Sequence, residues 1–191
     1  MKVKFLGKKG TWREVANSCN TTIHKEEGGK EPSSVWKKRI LLSEHSPIRQ
    51  ISFKWKWIDL KYWVSVHLVR HWLGIIHWVR TQRTDRTNID RNELKQSAFV
   101  EHEAEANIQA LINISRKRLC FQVSSETREA WEKVVETIKK VDKEIGSVLV
   151  KECVYRNGLC PEFKTCGYNK TEKFKKELEE YTEIIKEQIS K

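Results

Sequence analysis

No run of apolar residues in this sequence is long enough to cross a bilayer; the longest are short and broken by Lys, Arg or His. The opening MKVKFLGKKG lacks a long apolar h-region, so secretion is not expected. Neither G-x-x-x-x-G-K-[ST] nor G-x-G-x-x-G occurs, so a glycine-rich phosphate loop is not supported. The absence of G-x-S-x-G removes a nucleophile elbow. There is no internal repeat. Cysteine is limited to five positions, Cys19, Cys120, Cys153, Cys160 and Cys166. An odd number without a leader reads as reduced thiols in a cytoplasmic protein. Six and five residues separate the last three, wider than the C-x₂₋₄-C pairs usual for structural zinc. Cys120 supplies a fourth thiolate only if the fold brings it near. Small buried hydrophobes are the alternative, and no metal site is expected.

What is present bounds the answer further. The 191 residues make one domain, 1–170, with an amphipathic helix over 171–191 belonging to it. At 38% hydrophobic and 33% charged, the chain can build a core and is not compositionally disordered. A net charge of +11 attracts polyanions, nucleotides or anionic membranes without choosing among them. The eight Trp form either a bulky core or a wall for a planar ligand.

Along the chain, residues 1–30 are mixed and KEEGGKEPSS reads as a loop. VWKKRILLSEHSP is spaced for a short helix stopped before Pro47. Ile51, Phe53, Trp55 and Trp57 alternate with Ser52, Lys54 and Lys56, which predicts a strand with one buried face. From Lys61 to about Trp78 the pattern predicts a helix in which His67, Arg70, His71 and Gly74 share a face. RTQRTDRTNIDRNELKQ is polar and non-periodic, hence loop. HEAEANIQALINISRKRLC reads as helix, with Ala104, Ile108, Leu111, Ile112 and Ser115 toward a core. A long helix is expected from Glu126 to Leu149, then a Cys-rich loop. The closing helix carries the stripe Phe174, Leu178, Tyr181, Ile185 and Ile189, with Asn169 and Glu172 spaced as a capping box. The class is α+β.

The distinctive constellation is cationic: Arg70, Arg80, Arg83, Arg86, Arg91, Arg116 and Arg118 flank the helices. The planar guanidinium fork matches a phosphate or a pyrimidine carbonyl edge. A solvated loop that binds nothing is equally compatible with the spacing.

SEHSPIRQISFKWKW followed by SVHLVRHW and RTQR resembles the flavin-dependent thymidylate synthases (ThyX). In that family a segment H-x-S-P-x-E-H-x-x-F-x-F precedes Q-L-V-R-H-R, and the signature runs R-H-R-x-x-S-x-N-E-x-S-x-R. The resemblance covers about residues 40–130 and continues more weakly to Cys166. Arg70 and His71 match the first two signature positions, which in the family contact flavin and nucleotide. Trp72 stands where the signature has a second Arg, and His67 replaces a nucleotide-contacting Gln. Thr81, Gln82 and Arg83 fall on the closing S-x-R if one residue is inserted before them, which implies a hold on phosphate and ribose. GIIHWV does not contain the central S-x-N-E.

Downstream, NIQALINISRKRLC lies on a later family segment without gaps. Asn107 matches the Asn of N-A-R, Gln109 its Arg, and Asn113 a further flavin-side Asn. Arg118 falls on the Arg that in the family contacts the pyrimidine and favours its ionisation. Arg91 falls at the spacing of another nucleotide-binding Arg, and Ser52 at a flavin-contacting strand position. The resemblance thus implies a ThyX-like α+β fold, an antiparallel or mixed sheet packed with long helices, assembled as a homotetramer with shared sites. It implies FAD as cofactor, with NADPH and methylenetetrahydrofolate as co-substrates, and conversion of dUMP to dTMP. Neither membrane nor nucleic acid is an expected partner. The departures leave open a ThyX-fold enzyme for another pyrimidine nucleotide. A non-enzymatic protein that binds single strands through FKWKW stands as the third reading.

Overall fold

The computed structural model describes the backbone of residues 1–189 and side chains through residue 183. In chain order the elements are β1 (Lys2–Lys9), α1 (Trp12–Thr22), α2 (Ser34–Leu42), β2 (Ser52–Lys61), α3 (Tyr62–Leu68), β3 (Ile75–Val79), α4 (Thr84–Thr87), β4 (Phe99–Asn107), α5 (Ile108–Arg118), α6 (Ser125–Val141), α7 (Lys143–Val148), α8 (Glu152–Tyr155) and α9 (Glu172–Ile189). Short 3₁₀ turns cover Ser46–Gln50, Arg91–Glu93 and Tyr168–Lys170. The class is α+β, as the sequence indicates.

The four strands form one sheet in the order β1-β2-β4-β3, with every neighbouring pair antiparallel. The alternation in β2 works as expected: Phe53, Trp55 and Trp57 are fully buried. Opposite them on β4 stand Ala106, Ala104 and His102, so large residues meet small ones across the strands. Trp131 of α6 closes over this face, edge-on to Trp55 at 5.9 Å between ring centroids. The Trp131 indole N–H donates to Ser115 Oγ (2.9 Å), and that of Trp57 to the carbonyl of Ala130 (2.9 Å).

β4 corrects the expected helix over its stretch. HEAEAN is rich in helix formers, yet its Glu103 and Glu105, with Glu101 just before it, lie on the outer face of the sheet. There Lys56 pairs with Glu101 (3.3 Å), Lys54 with Glu103 (2.7 Å) and Lys9 with Glu105 (2.8 Å). Tertiary pairing overrides propensity. The lysines of FKWKW are therefore engaged by glutamates. The helical pattern begins only at Ile108, where Asn107 caps α5 by accepting from the Ala110 amide (2.9 Å).

The helix expected over 61–78 also breaks. α3 stops at Leu68, and Gly74 takes φ +72° so that the chain can turn into β3. A Cβ on Gly74 would stand 2.8 Å from the Asn107 side chain. His67, Arg70, His71 and Gly74 therefore do not share a helix face. The single helix expected from Glu126 to Leu149 divides at Asp142, which is extended at φ −148°. That carboxylate accepts from the Trp12 indole (2.9 Å), Lys8 (2.8 Å) and the Ile145 amide (3.1 Å), capping α7.

A second, smaller core gathers Val150, Val154, Tyr168, Phe174 and Tyr181 under α9. Phe174 and Tyr181 bury as the expected stripe requires, and Leu178 is half-buried. Ile185 and Ile189 lie outside the described side chains. Thr171 caps α9 by accepting from the Phe174 amide (3.2 Å); Asn169 instead donates to the carbonyl of Gly158 (2.9 Å). Among the described residues no helix is long and apolar enough to cross a membrane.

Candidate functional site

The segment from Tyr62 to Arg83 carries two groups of polar side chains. The first sits around the turn at residues 69–74, between α3 and β3. Arg118, in the last turn of α5, reaches back to it. Its Nε donates to His71 Nε2 (2.7 Å) and its Nη2 to the carbonyl of His67 (2.8 Å). His67 contacts Thr127 Oγ1 through Nδ1 (3.3 Å) and lies edge-on to Trp63. Below the turn, His77 Nε2 lies 2.7 Å from the His71 carbonyl, and His77 Nδ1 lies 2.8 Å from His102 Nε2. His102 Nδ1 ends the row at Ser65 Oγ (3.0 Å).

The electrostatics of this group follow from burial among cations. Burial, then the Arg118 charge, then His77, pull His71 down to about 4. Burial and His77 take His102 to about 3. Burial lowers His67, with Arg118 and Arg70 adding to the effect. Burial and the nearby Arg70 lower Arg118 from its ordinary value. The histidines are thus neutral near pH 7, and the Arg118 guanidinium carries the charge.

The second group follows β3. Arg80, Gln82, Arg83, Arg91, Lys95 and Tyr62 line an open pocket of ≈ 440 Å³. Among the described residues no acidic one lines it, so its field favours an anion. Arg83 is held by Asp85 through two bonds of 2.9 and 2.7 Å, and its amide donates to Thr81 Oγ1 (3.2 Å). Thr81 faces an adjoining pocket of ≈ 450 Å³ with Arg80, Gln82 and Arg86.

No family model matches the chain, and no curated protein matches it. Solved structures do. A flavin dependent thymidylate synthase ThyX from Helicobacter pylori, complexed with FAD and dUMP, is 12% identical at a TM-score of 0.62, over 79% of this chain and 100% of that one. A UMP/dUMP methylase, PolB, from Streptomyces cacaoi, bound with 5-Br dUMP, is 11% identical at a TM-score of 0.59, over 77% of this chain and 93% of that one. The same methylase bound with 5-Br UMP gives 12% and 0.57, over 77% and 92%. The chain has a ThyX-like fold.

Within this ThyX-like fold, His67, Arg70, His71 and Arg118 come together, and so do Gln82, Arg83 and Arg91 with Thr81 beside them. The expected flavin positions divide. Trp72 is 73% exposed, and Arg70 and Asn113 are exposed. Ser52 instead donates to Glu105 (2.9 Å), and Asn107 is occupied as a cap. Gln109 donates to Glu44, which also holds Arg116. The Arg116 guanidinium lies 3.5 Å from the Tyr155 ring centroid, so this arginine is spent on packing.

The resemblance does not single out Arg80, Lys95, Tyr62, His77 or His102 as site residues. Arg80 was visible within the cationic set, while His77 and His102 are inward only because β3 and β4 are strands. Cys120, Cys153, Cys160 and Cys166 do line one cavity of ≈ 20 Å³, so the fold brings Cys120 near. Among the described residues, however, no three His, Cys, Asp or Glu form a group able to hold a metal. Burial raises the thiol of Cys153 to about 11, which leaves it protonated and a poor nucleophile at neutral pH.

Proposed function

We propose that this chain binds FAD and a pyrimidine nucleotide, dUMP in the first instance, and transfers a one-carbon group from methylenetetrahydrofolate to the ring, with NADPH as reductant. The observation that carries this reading is Arg118, a half-buried guanidinium held from behind by His71 and the His67 carbonyl in a ThyX-like fold. The solved structures of similar fold hold dUMP, 5-Br dUMP or 5-Br UMP, which supports a uracil nucleotide as ligand.

The donor set suits a flat anionic cofactor. Trp72 offers an exposed indole face and Arg70 an exposed guanidinium, so these two, with His71 and Asn113, would hold FAD. When bound, FAD supplies redox chemistry that no side chain here provides. The remaining work is the chain's own. Arg118 stabilises negative charge developing on the uracil ring. The pocket of Arg80, Gln82, Arg83 and Arg91 anchors phosphate and so fixes the ring's orientation. Neutral His71 accepts from Arg118 without competing for the anion.

The exposed apolar side chains Trp72, Leu73, Ile76 and Trp78 flank the open edge of the sheet at β3. Further copies of the chain would cover them and complete the site as a homotetramer. Trp72 and Gln109, where the ThyX pattern has arginines, favour a second reading in which UMP or another pyrimidine nucleotide is the substrate.

The test is purification followed by an absorption spectrum and tritium release from labelled dUMP with folate and NADPH. A yellow protein that releases tritium supports the first reading. Bound flavin with no release from dUMP, but methylation of UMP, supports the second. A colourless protein that takes up no FAD and binds single-stranded DNA in a salt-dependent way overturns both.

A further inference from the structure

His77 and His102 belong to neither group of expected site residues, yet they lie beneath the turn at 69–74, His77 half-buried and His102 fully buried. Their hydrogens can be placed by elimination. The His71 carbonyl can only accept, so His77 Nε2, 2.7 Å away, carries a hydrogen. Burial, only partly opposed by the bond to the His71 carbonyl, lowers His77 from its ordinary value and keeps it neutral, so its Nδ1 is a lone pair and must accept. His102 Nε2, 2.8 Å from that lone pair, is then the donor. His102 Nδ1 must in turn accept, and the Ser65 hydroxyl donates to it over 3.0 Å. The chain therefore runs one way, from Ser65 through His102 and His77 to the backbone of His71. Reversing either ring sets two lone pairs or two N–H groups against each other.

Among the described residues, the groups packed around this row include no carboxylate partner for it. α3 brings Ser65 and His67, β2 the Trp57 ring at 5.0 Å from His102, and α5 Arg118. The turn itself has few other anchors. The His71 amide donates to Leu68 (3.1 Å), and the Gly74 carbonyl accepts from Asn107 (3.0 Å). Residues 72–74 are exposed. His71 is consequently held twice: its carbonyl by His77 from below, and its imidazole by Arg118 from α5.

We propose that His77 and His102 are positioning residues: they touch no ligand, but pin the His71 backbone so that its imidazole orients the Arg118 guanidinium toward the nucleotide. This rests on the reading of Arg118 given under the proposed function.

The test compares His77→Gln with His77→Phe in the full chain. Gln keeps one donor for the His71 carbonyl and one acceptor for His102; Phe keeps a ring but neither polar function. Phe is expected to lower kcat about 10- to 100-fold with the KM for dUMP little changed, since the loss is one of alignment. Gln is expected to restore most of it. Equal activity of the two variants overturns the proposal, and so does a loss that merely follows stability. If His77→Phe does not fold, Ser65→Ala breaks the same chain at its far end and is expected to act in the same direction, more weakly; unchanged kcat there overturns the proposal.

A second readout separates this idea from the function it rests on. Nitrogen NMR of His71 reports an Nδ1–H tautomer with Nε2 accepting, whether or not the protein turns over any nucleotide. A His71 signal that shifts in His77→Phe and not in His77→Gln supports positioning. A signal identical in all three proteins overturns it. Absence of turnover in the unaltered chain overturns the proposed function alone.

Discussion

Arg118 Nε donates to His71 Nε2 over 2.7 Å, joining the last turn of α5 to the turn that precedes β3. The bond fixes the His71 tautomer, since the accepting Nε2 cannot carry hydrogen. The same guanidinium also donates through Nη2 to the His67 carbonyl over 2.8 Å.

Removing that charge is expected to abolish turnover. Arg118→Ala should lose at least about 100-fold in kcat, the scale for one electrostatic stabiliser of developing charge. FAD should remain bound, because Arg70 and Trp72 are untouched. Arg118→Lys should rescue little, since an ammonium cannot reproduce the fork that meets both His71 and the His67 carbonyl. Unchanged kcat in Arg118→Ala would refute the assigned role.

The pocket after β3 gives a different signature. Arg83→Ala and Arg91→Ala should each weaken dUMP binding by about 10-fold or more, as loss of a charge-assisted phosphate contact does. Binding of uridine, which lacks phosphate, should change little. Calorimetry with both ligands checks this; equal losses for the two would place the phosphate elsewhere.

Stability should fall as the solution is acidified. His71 at about 4 and His102 at about 3 in the folded chain compare with an ordinary 6.5 once unfolded. Between those values the unfolded chain binds more protons, so stability rises with pH across the window and is lost as pH falls through it. The slope is at most about 1.4 kcal/mol per pH unit for each histidine, less for half-exposed His71, where solvent screens the effect. Urea midpoints taken between about pH 4.5 and 7.5 measure it, and His102→Phe should flatten the curve.

Two backbone sites hold the architecture around this chemistry. Gly74→Ala puts a Cβ against Asn107 at a positive φ, and should cost more than about 1 kcal/mol while disturbing the turn. Asp142→Ala removes the α7 cap and strands the buried Trp12 N–H, for a cost of about 2–4 kcal/mol. Gly74→Ala should impair nucleotide binding as well as the urea midpoint, whereas Asp142→Ala should move the midpoint alone.

Parts of this were legible in the residues. Strand β2 announced itself because one face is apolar and the other charged, and period two has no competing reading there. The loop KEEGGKEPSS, except for Ser34, which opens α2, helix α2 itself and the stripe of α9 through Tyr181 are equally readable. Helix α1 does not show in the mixed pattern of residues 1–30, although Thr11 and Glu14 carry a capping box, in which the Glu14 amide donates to Thr11 Oγ1 at 3.2 Å. The departures at 61–78 and 102–107 have different causes. At 102–107, helix-compatible residues lie on a strand whose Glu103 meets Lys54 of β2 and whose Glu105 meets Lys9 of β1, with the β2 tryptophans opposite Ala104 and His102; at 61–78, the left-handed Gly74 turns the chain into β3.

The amino-acid order alone determined the α+β class, the buried row of β2, the surplus of cations and the resemblance that singles out Arg70, His71 and Arg118. Those features depend on residue type and spacing within one segment. Only the tertiary structure decided that the His67–Gly74 stretch is a helix end and a turn, that Asn107 and Gln109 are engaged by the fold, and that His77 and His102 lie beneath His71. Each of these depends on a strand register or a contact between distant segments, where burial and pairing outweigh local preference.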